Sequence, residues 1–292
     1  MEPVRLAAGS WVLRPHTRSD IDGVLDQCTD PETQAWTTVP SPYTRADAEQ
    51  YVERRVPLGW ADGSYLAFAI ADAATDEFLG TVDLHEGGHG QGAREIGFGL
   101  RPRARGRGVM AAAVRAVVDW AFAPDGLGLE ILYWRAQVGN WSSRRVAWAT
   151  GFRVEGRVRG LCLQRGVRHD GWIASLHRDD PREPVHPWYD AAVLARDGIV
   201  LRPFREDDAD AVVEAGTDPA TRHWLAHLPR PYTKESALEF IRSRQEELAS
   251  GSGITWAAAD AATDRCIGSF GLMGIDGGDS AEGGYWVHPD AR

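Results

Sequence analysis

The run Arg103-Ala-Arg105-Gly106-Arg107-Gly108-Val109-Met110 joins an apolar, strand-like segment, Glu95–Leu100, to a stretch with helical spacing. The first N–H groups of a helix have no partner inside it, and the helix dipole makes that end attractive to anions. Gly106 and Gly108 carry no Cβ, so a phosphate oxygen can come close to the main chain. N–H groups from Arg105 to Met110 would grip such an anion, with Arg103 and Arg107 adding positive charge. The chemistry this pattern points to is the holding of a diphosphate. A solvated Arg-rich turn has the same composition, and spacing alone does not separate the two. Two other phosphate devices do not fit. The turn has no Gly-Lys-Ser/Thr of a nucleotide P-loop, and no Gly-x-Gly-x-x-Gly followed by an acidic residue about 20 positions on.

The elements that must position this turn can be read from pattern. Ser10–Pro15 reads as a strand, and Asp20–Cys28 as a helix with Ser19 as its cap. Thr44-Arg-Ala-Asp47 is a capping-box-like start for a helix reaching Val56. Tyr65–Ala71, Phe78–His85 and Ala93–Leu100 read as successive strands joined by polar, Gly-rich turns. A helix over Val109–Phe122 carries Val114, Val117, Val118 and Ala121 on one stripe. A strand Ile131–Gln137, a helix Ser142–Thr150 and strands Phe152–Val158 and Trp172–His177 follow. The predicted fold class is α+β: a mixed, mostly antiparallel sheet flanked by helices.

Length bounds the chain at one large or two ordinary domains, since it has 292 residues with 43% hydrophobic and 25% charged content. No apolar run approaches the ~18 residues of a membrane helix, and no signal peptide is evident, so no membrane partner and a cytoplasmic location are expected. Cys28, Cys162 and Cys266 lie far apart with no ligand spacing and read as small buried residues. The net charge of −10 argues against nucleic acid as a partner. The acidity is uneven: residues 1–180 carry −2 and residues 181–292 carry −8. An acidic surface suits a cationic acceptor, although most serve solubility.

The chain also repeats itself at an offset of 187 to 189 residues. Trp11-Val-Leu-Arg-Pro15 returns as Ile199-Val-Leu-Arg-Pro203, and Ala71-Asp-Ala-Ala-Thr-Asp76 returns unchanged as Ala259 to Asp264. Glu95 with Gly97 returns as Glu282 with Gly284, and Pro102-Arg-Ala-Arg105 as Pro289-Asp-Ala-Arg292. Arg292 therefore aligns with the residue before the first glycine of the turn. The domains expected are 1–180 complete, 181–195 as a Pro-rich linker, and 196–292 as an incomplete, truncated second copy.

The ordered set of motifs resembles the GCN5-related N-acetyltransferases (GNAT), in the branch that acetylates ribosomal-protein N-termini. The turn Arg103-Ala-Arg-Gly106-Arg-Gly108 is similar to the family's acyl-CoA signature. Asn140-Trp-Ser-Ser143, Gly151-Phe152 and Asp170 to His177 resemble its later elements, and Trp11 to Pro15 its first strand. The resemblance spans Val4 to about Asp180. It implies a central strand pair splayed to admit the coenzyme, acetyl-CoA as co-substrate, a primary amine as acceptor, no metal, and homodimerisation as an open question.

On this resemblance the main chain of Gly99 and Leu100 pairs with the pantetheine amides and polarises the thioester. Asn140 bonds a pantetheine amide, and Ser143 touches the sulfur. Glu95 is the candidate base, direct or through water, with a solvated carboxylate or an ion pair with Arg94 as the plainer reading. An α-amino group, with pKa near 8, needs only a modest base. The family's usual tyrosine acid is missing from 141–151, which leaves Ser143 and, more weakly, Tyr133. Trp36, Tyr43 and Trp60 either line the acceptor cleft or fill core. His85, Glu86 and His89 share a Gly-rich loop without a metal-ligand pattern. Alternatives are a non-catalytic acyl-CoA-binding or assembly module, or a transferase of another acyl group such as succinyl.

Overall fold

The computed structural model describes residues 1–225, 227–275 and 280–292, and the chain divides into two compact units, Met1–Val185 and His186–Arg292. In the first unit, eight strands form one sheet: β1 (Leu6–Ala8), β2 (Trp11–Arg14), β3 (Tyr65–Asp72), β4 (Phe78–His85), β5 (Ala93–Leu100), β6 (Ile131–Gln137), β7 (Arg153–Gln164) and β8 (Val167–His177). Their order is β1-β2-β3-β4-β5-β6-β8-β7, with β5 and β6 the one parallel neighbouring pair. Helices α1 (Ile21–Thr29), α2 (Pro31–Trp36), α3 (Arg45–Gln50) and α4 (Val56–Asp62) precede β3, α5 (Val109–Phe122) links β5 to β6, and α6 (Trp141–Ala149) follows β6. This is the expected α+β architecture.

The strand β3 is buried along nearly its whole length, and α5 lays Val109, Ala113, Val114, Val117 and Val118 into the same core as Leu66, Phe68, Val82 and Leu132. Helical periodicity predicts α5 with its observed bounds, because its buried stripe returns every three to four residues. Other elements differ from expectation. Thr17, not Ser19, occupies the cap position ahead of α1: its N–H donates to Asp20 Oδ2 at 2.8 Å, and Ser19 lies inside a 3-10 turn. Thr44 and Asp47 do form a capping box. The helix they start runs past Val56 to Asp62 through one π turn at Tyr51–Arg55. Pro57 has no N–H to donate, and a wider turn absorbs that loss. The strands expected at 152–158 and 172–177 are a single long hairpin, β7–β8, turned at Arg165 and Gly166, both at positive φ. Arginines along both strands obscure the period-2 pattern.

The second unit holds β9 (Leu194–Arg196), β10 (Ile199–Arg202), α7 (Ala209–Thr217), α8 (Pro219–Trp224), α9 (Lys234–Ser250), β11 (Gly253–Asp260), β12 (Cys266–Met273) and β13 (Glu282–Val287). Its sheet order is β13-β12-β11-β10-β9. The internal repeat is visible in individual contacts. Buried Arg14 grips both oxygens of buried Asp20 at 2.8 and 2.9 Å and reaches Asp76 at 2.7 Å, while Arg202 does the same with Asp208 and Asp264. Arg105 on Asp30 becomes Arg292 on Asp218. The Arg103–Glu77 pair returns with its charges exchanged, as Asp290 with Arg265. Reversal of both partners keeps the attraction, as expected if the contact itself is what is retained.

Replacing Arg14 by Met leaves the Asp20 carboxylate, 2% exposed, without its cation. We expect a loss of about 3–5 kcal/mol in urea unfolding of the first unit. A loss below about 1 kcal/mol would show that the pair contributes little.

Candidate active site

Gly106 and Gly108 sit at φ +71° and +77°, with Gly108 capping α5, and open space surrounds the position a Cβ would take on either. A side chain there would be strained and would project into that space. Among the described residues, no N–H from Gly106 to Met110 donates to a protein acceptor. These five groups front the N-terminus of a 14-residue helix. Arg105 does not belong with them. Its N–H closes a 3-10 turn on Pro102 O at 3.2 Å, and its guanidinium holds Asp30 and Glu32, both at 2.6 Å. Arg103 is taken by Glu77 at 2.5 Å. Arg107 is exposed and has no ion pair among the described residues, so it is the arginine left to meet an anion. The acids at the cap of α2, on α2 and in the β3–β4 turn thus spend two of the three arginines on fixing the turn.

The strands β5 and β6 pair in parallel from Ala93–Ile131 to Ile96–Trp134 and then part, although each runs on to Leu100 and Gln137. This is the splay that the family resemblance implies. Arg101 N–H donates to Leu79 O at 2.9 Å, and the antiparallel ladder continues from there with Thr81 opposite Gly99 and Asp83 opposite Gly97. Alternation commits the main-chain groups of Gly99, Gly97 and Glu95 to β4 and turns those of Phe98 and Leu100 to the open edge. The free edge is therefore carried by Phe98 and Leu100. Gly99 serves differently: with Gly97 it leaves the sheet face beside Glu95 without a side chain of its own.

That face opens into a cleft of about 1170 Å³ walled by α1, the α2–α3 connection, β4, β5, β6, Asn140, Ser143 and residues 161–163. Trp36 and Tyr43 line it, whereas Trp60 is core, 1% exposed, with its indole N–H on Ala67 O. Glu95, 7% exposed, is neither solvated nor paired with Arg94. It meets Arg135 at 2.6 Å, His89 at 3.5 Å and His85 at 3.6 Å. Burial pushes its carboxyl up, but His85 and Arg135 outweigh burial and hold it below the usual carboxylate range. His85 donates its other nitrogen to Asp83 at 2.8 Å. Burial lowers its pKa and the two carboxylates more than reverse this, raising it to about 9. His89 stacks on Tyr133 with ring centres 4.0 Å apart, which makes Tyr133 a packing partner. Glu86 turns instead to Arg94.

Asn140 caps α6, accepting from Ser143 N–H at 3.2 Å, and Trp134 Nε1 donates to Ser143 Oγ at 3.1 Å. With its oxygen accepting from the indole, the hydroxyl proton of Ser143 is left to donate into the cleft. Sequence reasoning missed Asp83, Arg135, Phe98 and Trp134. Asp83 and His85 on one face of β4 offered a signal, two residues apart opposite Gly97 and Glu95. The second unit repeats this register with different residues: Gly271 for Asp83, Met273 for His85, and Trp286 for Gly99. Its indole occupies the position Gly99 leaves bare, and the cavity there is about 230 Å³ and mainly apolar.

The acetyltransferase (GNAT) domain matches residues 11–153 and 199–292. The chain belongs to this acetyltransferase family. Both units of the acetyltransferase are thus covered. It is similar to N-acetyltransferase p20 of Bacillus licheniformis, 24% identical over 164 residues, 56% of this chain and 90% of that protein. Among solved structures, ribosomal-protein-S5-alanine acetyltransferase from Vibrio fischeri superposes with a TM-score of 0.52 at 22% identity, over 62% of this chain and 100% of that one. RimL, a ribosomal alpha-N-protein acetyltransferase in complex with coenzyme A, gives 0.52 at 19% identity, over 60% and 98%. These likenesses show the fold. No helix among the described residues is long and apolar enough to cross a membrane.

The His85 cluster makes stability depend on pH. A histidine that binds its proton more tightly folded than unfolded contributes fully below about 6.5, and that contribution fades as pH rises through about 9. Urea midpoints should fall over this window in the wild type and fall less in His85→Asn. Equal slopes in the two proteins would contradict the placement of His85 between Asp83 and Glu95.

Proposed function

We propose that the first unit transfers an acetyl group from acetyl-CoA to a primary amine within a ternary complex. The observation that carries this reading is the row of unpartnered N–H groups from Gly106 to Met110 at the head of α5, ending beside a strand edge that parts from its neighbour. The two features suit the two halves of one ligand, a diphosphate and an amide-bearing arm. The coenzyme-bound neighbour has the same fold.

In the proposed reaction the diphosphate lies on the N–H groups of Gly106, Arg107, Gly108, Val109 and Met110, with Arg107 adding charge. The pantetheine arm pairs with the main chain of Phe98 and Leu100 in place of the missing strand. The amine enters over Gly97, between Asp83 and Glu95. Its lone pair attacks the thioester carbon, a C–N bond forms, and the carbonyl electrons move to oxygen, facing the Phe98 N–H. Collapse breaks the C–S bond, and sulfur leaves as a thiolate that accepts from the Ser143 hydroxyl. The proton on nitrogen passes to water held by Glu95. A carboxylate held this low is a weak direct base, so the water route is the one proposed. An α-amine, already partly neutral near pH 8, needs little more.

Gly106→Glu places both a side chain and a negative charge at the diphosphate position, where the backbone is at φ +71°. Isothermal titration should show acetyl-CoA affinity falling more than about a hundredfold, that is, by over 2.7 kcal/mol. Retained affinity would place the coenzyme elsewhere.

A further inference from the structure

Gln27 is the residue in the cleft with an unexplained side chain. It lies on α1 and is 8% exposed, yet its Oε1 is buried with no hydrogen-bond partner among the described residues. The amide reaches over the sheet face at Gly99: a Cβ on Gly99 would stand 2.9 Å from Gln27 Nε2. Both residues line the cleft. A buried amide without partners is costly to a fold, and its neighbours on the same face of α1, Val24 and Cys28, are apolar. Glycine at position 99 is what leaves the amide room, and the second unit fills the corresponding space with Trp286.

We propose that Gln27 is the acceptor-reading residue of this site, and that it binds the main-chain N–H and C=O of the second residue of a polypeptide whose N-terminal amine is acetylated. The inference rests on the acetyl-transfer reading above. A carboxamide offers one acceptor and two donors. The N–H and C=O of one residue in an extended chain point the same way and answer both ends of it, the N–H for Oε1 and the C=O for Nε2. A simple amine, whose nitrogen is at the thioester, answers neither. Position agrees with this assignment. The edge N–H that faces the thioester belongs to Phe98, and Gln27 stands over the next residue, about 3.3 Å further along the strand. The second residue of an acceptor begins one residue length from the attacking nitrogen, so the amine and that residue's main chain fall on neighbouring positions. Asp83 and Glu95, on the other side, face the amine.

The test compares wild type with Gln27→Met, which keeps the side-chain volume and removes both polar functions. Acceptors are a hexapeptide with a free α-amine and 2-phenylethylamine, which has no amide. CoA release is followed at saturating acetyl-CoA, with acetyl-CoA Kd measured separately. We expect kcat/KM for the peptide to fall about tenfold to a hundredfold. The value for the amine and the acetyl-CoA Kd should hold. The ligand-free variant should melt about 2–4 °C higher, because an unpaired buried amide is gone. A role in packing alone would lower the melting temperature instead. Gln27→Asn, which keeps the amide on a shorter stem, should fall between the two and serves if Met does not fold. An unchanged ratio of peptide to amine activity overturns the inference, as does a change confined to the acetyl-CoA Kd or a wild type that takes the amine and refuses the peptide. A wild type that releases CoA with neither acceptor overturns the acetyl-transfer reading itself.

Discussion

Five consecutive main-chain N–H groups, Gly106 to Met110, have no acceptor among the described residues at the head of α5. Much of the first unit serves to hold them so. Two positive-φ glycines give the turn a shape that other residues adopt only under strain. The apolar stripe of α5, from Val109 to Phe122, fastens the helix to the sheet and so fixes the direction in which the amides point. Arg105 ties the turn to α2 through Asp30 and Glu32, and Arg103 ties it to Glu77. Water can meet such a row in the free protein, and a ligand with several anionic oxygens is its natural complement.

The sheet makes a second accommodation. Where β5 and β6 part, the edge of β5 keeps its N–H and C=O groups, and Gly97 and Gly99 keep the face above it clear. Around that clearing stand two carboxylates, Asp83 and Glu95, and two cations, His85 and Arg135, held together by contacts of 2.6 to 3.6 Å. The balance orients the acids without neutralising them. The second unit lacks this arrangement. It repeats the strands and the register, but carries Trp286 where Gly99 stands, Gly271 for Asp83 and Met273 for His85. The scaffold recurs there without the open face or the charged cluster.

How much of this was legible depended on the kind of constraint. The bounds of α5 and the strands from Tyr65 to Gln137 were readable, because burial on one face writes a period into the sequence. The splay was readable only through family resemblance. The roles of single residues were harder. Arg105 looks in sequence like a phosphate ligand, but its partners Asp30 and Glu32 are remote in the chain and only the fold brings them near. The main-chain role expected of Gly99 passes to Phe98 because ladder alternation is set by the register with β4, which no local pattern specifies. Glu95 was recognisable as a chemically important acid, but its low-lying carboxyl comes from His85 and Arg135 on two other strands. Gln27 was invisible, since an amide on a helix has meaning only against the glycine it covers.

Crystals of the protein with coenzyme A bound would show whether the row of amides does what its geometry suits it for. Diphosphate oxygens should lie within hydrogen-bonding distance of the N–H groups of Gly106 to Met110, and the pantetheine amides should pair with the main chain of Phe98 and Leu100. A coenzyme seated elsewhere, with those N–H groups facing solvent or another part of the chain, would contradict this placement.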